Sequence, residues 1–194
     1  MKKLLYPFLC LSVLLIVDSC TKKETTPPSV GETNAVLLAG AKGSSKSWNL
    51  VSISEAIDGG LASTVTSSSG MPACETDNVY LFNHDAGQTY QQSEGTISCA
   101  STDGSKIESG NWAFSEDGLS LFVESIVYPS AAQFQNEDPS SGYFLAYMIL
   151  AVGKAWTVKV ISATSLTITY SGTYTDSNNA THTYVDTLIL NSKN

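Results

Sequence analysis

The sequence predicts an all-β domain, a sandwich or a barrel, on three observations. Ser, Thr, Val, Ile, Tyr and Gly dominate beyond the N-terminal segment, period-two alternation of apolar and polar residues recurs, and turn residues punctuate the chain at short intervals. Strands are expected over 47–54, 62–68, 79–83, 89–94, 106–115 and 120–125. Each joins aromatic or β-branched residues to polar neighbours. His84-Asp85-Ala86-Gly87 and Glu116-Asp117-Gly118 supply turns between them, because Asp and Gly tolerate the backbone that a reversal needs. Trp156, Val158 and Val160 alternate with Thr157, Lys159 and Ile161, and Leu166, Ile168 and Tyr170 alternate with Thr167 and Thr169. One face of each can be buried. Residues 184–190 read as the closing strand. Helix signals are sparse.

Two stretches break the pattern. Residues 127–142, with Pro129, Pro139 and a polar run, read as a long irregular loop, a kind of segment that is often functional. Residues 143–152 are continuously apolar: the aromatic and branched residues suit a buried strand, and Leu145, Ala146, Met148 and Leu150 before Gly153 suit a short helix.

The N-terminus reads as an export signal. Lys2 and Lys3 precede an uncharged apolar run that ends near Val17, which is too short for the ~20 residues of a membrane-spanning helix. Val17-Asp18-Ser19-Cys20 resembles the lipobox of bacterial lipoproteins, with Asp18 in place of the usual small residue. The resemblance implies a signal peptide over 1–19, which carries Cys10 away, and diacylglycerol on Cys20. At ~0.8 kcal/mol per buried CH2, two or three acyl chains hold a protein on a membrane without any spanning element. Residues 20–33, with Lys22, Lys23 and Pro27-Pro28, read as a tether, and 34–194 as one domain. The expected location is the cell envelope, on the outer membrane at its periplasmic face or at the cell surface.

Composition narrows the partners. The chain contains no arginine and has a net charge of −8; loss of Lys2, Lys3 and Asp18 with the signal makes it −9. Phosphate neutralisation and bidentate base contacts call for basic residues, so no nucleic-acid partner is expected. In an exported chain the two remaining cysteines, Cys74 and Cys99, are expected to pair as a disulfide. The chain-entropy relation gives a loop of that size about 3.5 kcal/mol. Zinc sites present paired Cys or His at short spacing, which neither His84 nor His182 has, so no metal is expected.

A family resemblance follows from the middle of the chain. Cys74-Glu75-Thr76-Asp77-Asn78-Val79-Tyr80-Leu81-Phe82, then Asp85-Ala86-Gly87-Gln88-Thr89-Tyr90, Cys99, Ser109-Gly110-Asn111-Trp112-Ala113-Phe114 and Asp117-Gly118-Leu119-Ser120-Leu121 resemble the lipocalin-like domain of many Bacteroidetes-type lipoproteins. Lys46-Ser47-Trp48-Asn49-Leu50-Val51-Ser52 resembles its first strand, and the alternating stretches after Trp156 its later ones. The segment 127–154 departs from that pattern, being longer and more apolar. The resemblance implies an up-and-down antiparallel barrel of about eight strands, a size that holds side chains or one small ligand. Tyr80, Phe82, Tyr90, Phe114, Phe122, Trp156 and Tyr170 are its candidate cavity lining. Trp48 and Trp112 are expected to plug the base.

No catalytic constellation stands out, and neither enzyme activity nor a cofactor is expected. His84 beside Asp85 reads as a solvated pair in a turn. Glu116-Asp117, Glu137-Asp138 and Asp176 fall in turns, and Asp176-Ser177-Asn178-Asn179 lacks the glycine and terminal glutamate of a calcium loop. Two functional readings follow. One is a lipid-anchored barrel that binds a small hydrophobic or amphipathic ligand. The other is a non-catalytic interaction or structural lipoprotein with a packed barrel and no ligand.

Overall fold

The computed structural model describes residues 26–98, 106–127 and 154–193. The expected export signal, Cys20, Cys99, residues 128–142 of the expected loop and the apolar run 143–152 lie outside them. Among the described residues nine strands form one sheet: β1 (Ser45–Ile57), β2 (Ser63–Thr66), β3 (Val79–Asn83), β4 (Thr89–Ser93), β5 (Lys106–Phe114), β6 (Ser120–Val127), β7 (Lys154–Ile161), β8 (Ser165–Thr175) and β9 (Thr181–Ser192). From β3 to β9 each strand pairs antiparallel with the next, and β1 pairs with both β3 and β9. These pairings close an eight-stranded up-and-down barrel. β2 lies outside the ring, pairing with the second half of β1 beyond β3. Closure leaves the ring without an exposed edge.

Alternation puts one side chain in two into the barrel. Trp48, Leu50, Ile53, Tyr80, Phe82, Tyr90, Trp112, Leu121, Val123, Trp156, Leu166, Ile168, Leu188 and Leu190 form the core. Bulges shift this pattern at defined points. In β1 the register slips between Leu50 and Ser52, so the buried face passes from Leu50 to Ile53. In β7 it slips between Val158 and Val160. The uninterrupted alternation expected after Trp156 therefore fails: Val160 is 52 % exposed, and Ile161 packs against the core.

Among the described residues two helices accompany the barrel. The helix α1 (Val30–Ala39) begins with a capping box, in which Ser29 Oγ accepts from the Glu32 amide and Glu32 Oε2 from the Ser29 amide. The first turn of this helix falls inside the segment read as a tether. α1 lies across one end of the barrel, touching β1, β3, β5 and β7. Ala35, Leu38 and Ala39 are buried there, and the Trp48 indole donates to the Leu38 carbonyl at 2.8 Å. Gly31 passes so close to the Ser115 carbonyl that no Cβ fits. The single turn α2 (Ala73–Thr76) packs on β1 before β3.

Candidate functional site

The two halves of the barrel differ in chemistry. Next to α1 the interior is apolar and closed. Trp112 makes edge contacts with Phe82 and Phe114 at 6.0 and 6.1 Å, and its indole N–H is shared between the Asn83 and Thr89 carbonyls. His84 belongs to this half. It is buried and donates from Nδ1 to the Gly40 carbonyl at 2.7 Å, so the solvated His84–Asp85 pair expected from sequence is corrected. Asp85 instead accepts from the Gly87 and Thr89 amides and stabilises its own turn. A surface groove beside α1, reaching Glu32, Lys42 and His84, is broad and open. His84 is already engaged within it.

Away from α1 the interior turns polar. Tyr80, Gln92 and Glu108 occupy one row across β3, β4 and β5. Glu108 is fully buried and accepts from the Tyr90 hydroxyl at 2.6 Å, while Gln92 donates to the Tyr80 hydroxyl at 3.3 Å. Burial, followed by the Glu108 charge, pushes the Tyr90 hydroxyl far above its usual range. Tyr90 thus stays a neutral donor.

A second row crosses β1, β9 and β8, where Glu55 stands opposite Asp186 and Asp186 opposite Tyr170. The Trp156 ring lies 5.6 Å from Tyr170, and Tyr184 6.1 Å on its other side. Burial, then Tyr170, Asp186 and Glu55, raise the Tyr184 hydroxyl above its usual value. Tyr184 lies over Gly172, its cross-strand partner, where a Cβ would strike the ring. Glu55 is raised by burial. The Trp156 indole N–H is buried and finds no acceptor among the described residues. Beyond Tyr184 the aromatic series continues to Tyr174 at 6.3 Å and then to His182, stacked on Tyr174 at 5.2 Å. His182 lies 2.7 Å from Asp58 and 3.6 Å from Asp176. The series thus climbs from the core to the rim.

The aromatic residues expected to line a cavity are placed unequally. Tyr80, Phe82, Tyr90 and Trp156 are buried inside, Tyr170 is half-buried in the second row, and Phe114 sits at the α1 end. Phe122 is 47 % exposed on the face of β6 opposite buried Leu121 and Val123, so it points away from the interior. Trp48 and Trp112 occupy the α1 half. Glu55, Gln92, Glu108, Tyr184 and Asp186 were absent from that lining. The signal for Asp186 was its parity with Leu188 and Leu190; for Glu55 it was its parity with Ile53.

Cys74 lies in α2, and Cys99 lies outside the described residues. Among the described residues no group of His, Cys, Asp and Glu is arranged to hold a metal ion. Nor is any helix there long and apolar enough to cross a membrane.

The fold defines a class, the helix-capped eight-stranded up-and-down β-barrel. No family model and no curated protein matches the chain.

Proposed function

We propose that this chain is a lipid-anchored lipoprotein of the cell envelope, without catalytic chemistry of its own, whose lipocalin-like barrel binds a small hydrophobic or amphipathic molecule.

 The observation that carries this reading is the polar and aromatic interior away from α1, where Glu108 and Asp186 are buried inside a closed barrel. Burying ionisable groups costs several kcal/mol each unless partners compensate, and here each stands beside tyrosines of the interior, Glu108 with Tyr90 and Asp186 with Tyr170. An eight-stranded barrel holds either packed side chains or one small ligand. Support for the Cys74–Cys99 disulfide comes from Asp77, whose Oδ2 accepts from the Thr96 and Ile97 amides at 2.6 and 2.9 Å. This holds the chain just before Cys99 beside the turn that follows Cys74. The lipid anchor rests on the lipobox resemblance at Cys20.

Native mass spectrometry of protein extracted gently from its own membrane tests the binding reading. A reproducible adduct on the lipidated mass is expected. A clean apo mass, joined to an interior filled by side chains, would contradict it. The packed α1 half, with Trp48, Phe82 and Trp112 buried together, favours the second reading, a structural lipoprotein without ligand, and that result would establish it.

A further inference from the structure

We propose that the outer apolar face at the α1 end of the barrel, formed by Val30, Leu119, Phe122 and Val160, docks on the lipid bilayer that holds the anchor. This rests on the lipoprotein reading above and adds the surface by which the folded domain itself meets the membrane.

The four residues are 57, 62, 47 and 52 % exposed in that order, and the fold gathers them. Gly118 lies so close to Val30 that a Cβ would strike the valine side chain, which sets Val30 beside Leu119. The Val158 amide donates to the Leu119 carbonyl at 2.8 Å. Val160 follows on the same strand, just before the β7–β8 turn, where Lys46 donates both to the Ala163 carbonyl and to the Leu37 carbonyl of α1. Phe122 stands on the outer wall of β6, about 10 Å along the strand from Leu119. Its direct partners are Ala113 on β5 and Ala155 on β7, and neither is large enough to cover the ring. One row further from α1, Asn111 and Glu124 are paired and exposed and bound the face with polar groups. Exposed apolar residues scattered singly are ordinary, whereas a group of them with a polar border marks a contact.

The place of the anchor selects the occupant. Cys20 precedes Val30 by ten residues, which span at most about 36 Å, so the chain leaving the membrane enters the fold at this face. A tether that short makes docking an intramolecular step at an effective concentration on the order of mM. A face too small to hold a free protein on a membrane then suffices. Ile57, Leu61 and Val185 are exposed too, but they belong to the opposite end, where β1 finishes against β9. Charge does not drive the contact: the chain has a net charge of −8, and Glu116 and Asp117 border Val30. Apolar burial in the headgroup region does. The barrel then stands on its α1 end, with the His182 rim and the polar half of the interior away from the lipid.

Tryptophan quenching in vesicles tests the inference. The lipidated full chain, carrying either Phe122→Trp or Leu61→Trp, is reconstituted in phosphatidylethanolamine and phosphatidylglycerol with brominated acyl chains. Trp48, Trp112 and Trp156 are buried and give both variants the same background. Quenching is expected to be about threefold stronger in Phe122→Trp than in Leu61→Trp, and Val30→Ser with Leu119→Ser should abolish the difference. These sites are exposed, so the denaturant midpoint should hold. Equal quenching in the two variants would overturn the inference, as would a difference that survives the paired serine substitutions or that grows with the share of phosphatidylglycerol. A blue shift in Phe122→Trp that follows protein density without quenching would give the face to a second copy of the chain and overturn it as well. The intact mass separates the two readings. Without diacylglycerol on Cys20 the anchor falls and the docking with it; with the lipid present and no quenching, the docking alone falls.

Discussion

His182 is the residue whose chemistry is easiest to read. Its hydrogen bond with Asp58, then the charges of Asp58 and Asp176, raise it above its ordinary value of 6.5. Asp58 is lowered from 3.8, first by His182 and then by the Thr183 amide; Asp176 is lowered mainly by the Ala180 amide. The contribution of His182 to stability is therefore complete below its unfolded value and is lost as pH rises through the raised folded one. Those of the two aspartates are present above 3.8 and are lost as pH falls through their lowered values. NMR titration should place His182 above 6.5, and Asp58→Asn should bring it down. An unchanged midpoint in Asp58→Asn would refute the assignment. The same scale shows what sequence reasoning could and could not see. Trp156 and Tyr170 stood out as aromatics in alternating strands. Glu108 and Asp186 did not, because an acid in a strand reads as solvent-facing until the neighbouring strands close over it. His84 was hidden for a similar reason: its partner, the Gly40 carbonyl, lies at the end of a helix that had not been expected.

At the scale of elements, α1 is the main addition to the sequence reading. Its signal was present in Ser29-Val30-Gly31-Glu32, the spacing of a capping box, but Pro27-Pro28 and the polar run before it suggested a tether. The helix covers the end of the barrel through Leu38, so Leu38→Ala should destabilise the domain by about 2–5 kcal/mol. Ser29→Ala should cost about 1 kcal/mol through the lost cap. Denaturant melts of the two variants measure both, and equal effects would show that the cap, rather than the buried face, holds α1 in place. The bulges in β1 and β7 were not legible. Period-two reading assumes an unbroken ladder, and only the pairing with a neighbouring strand shows that Val160 has passed to the outside. β3, by contrast, spans the expected 79–83 because Asn78 and the turn at His84 bound it on both sides. Gly172 is a further point where the element serves the site. Gly172→Val should push Tyr184 out of the interior row and lower stability by about 1–3 kcal/mol; an unchanged denaturant midpoint would contradict the close packing of Tyr184 on Gly172.

For the whole molecule, the pairing of β1 with β9 is what converts a meander into a barrel, and it joins residues from opposite ends of the domain, such as Trp48 with Ser192 and Ile57 with Tyr184. Sequence supplied the strands and the resemblance supplied the closure, which no local pattern can reveal because it depends on pairing across the full length of the domain. The same closure creates the division between an apolar half under α1 and a polar, aromatic half away from it. That division is the basis for the proposal that the interior holds a ligand. A crystal structure of the protein purified gently from its own membrane tests it most directly. The account predicts non-protein density inside the barrel, within hydrogen-bond distance of the Trp156 N–H and beside Asp186 and Tyr184. An interior filled to normal packing density by the chain's own side chains, with the Trp156 N–H bonded to one of them, would contradict it.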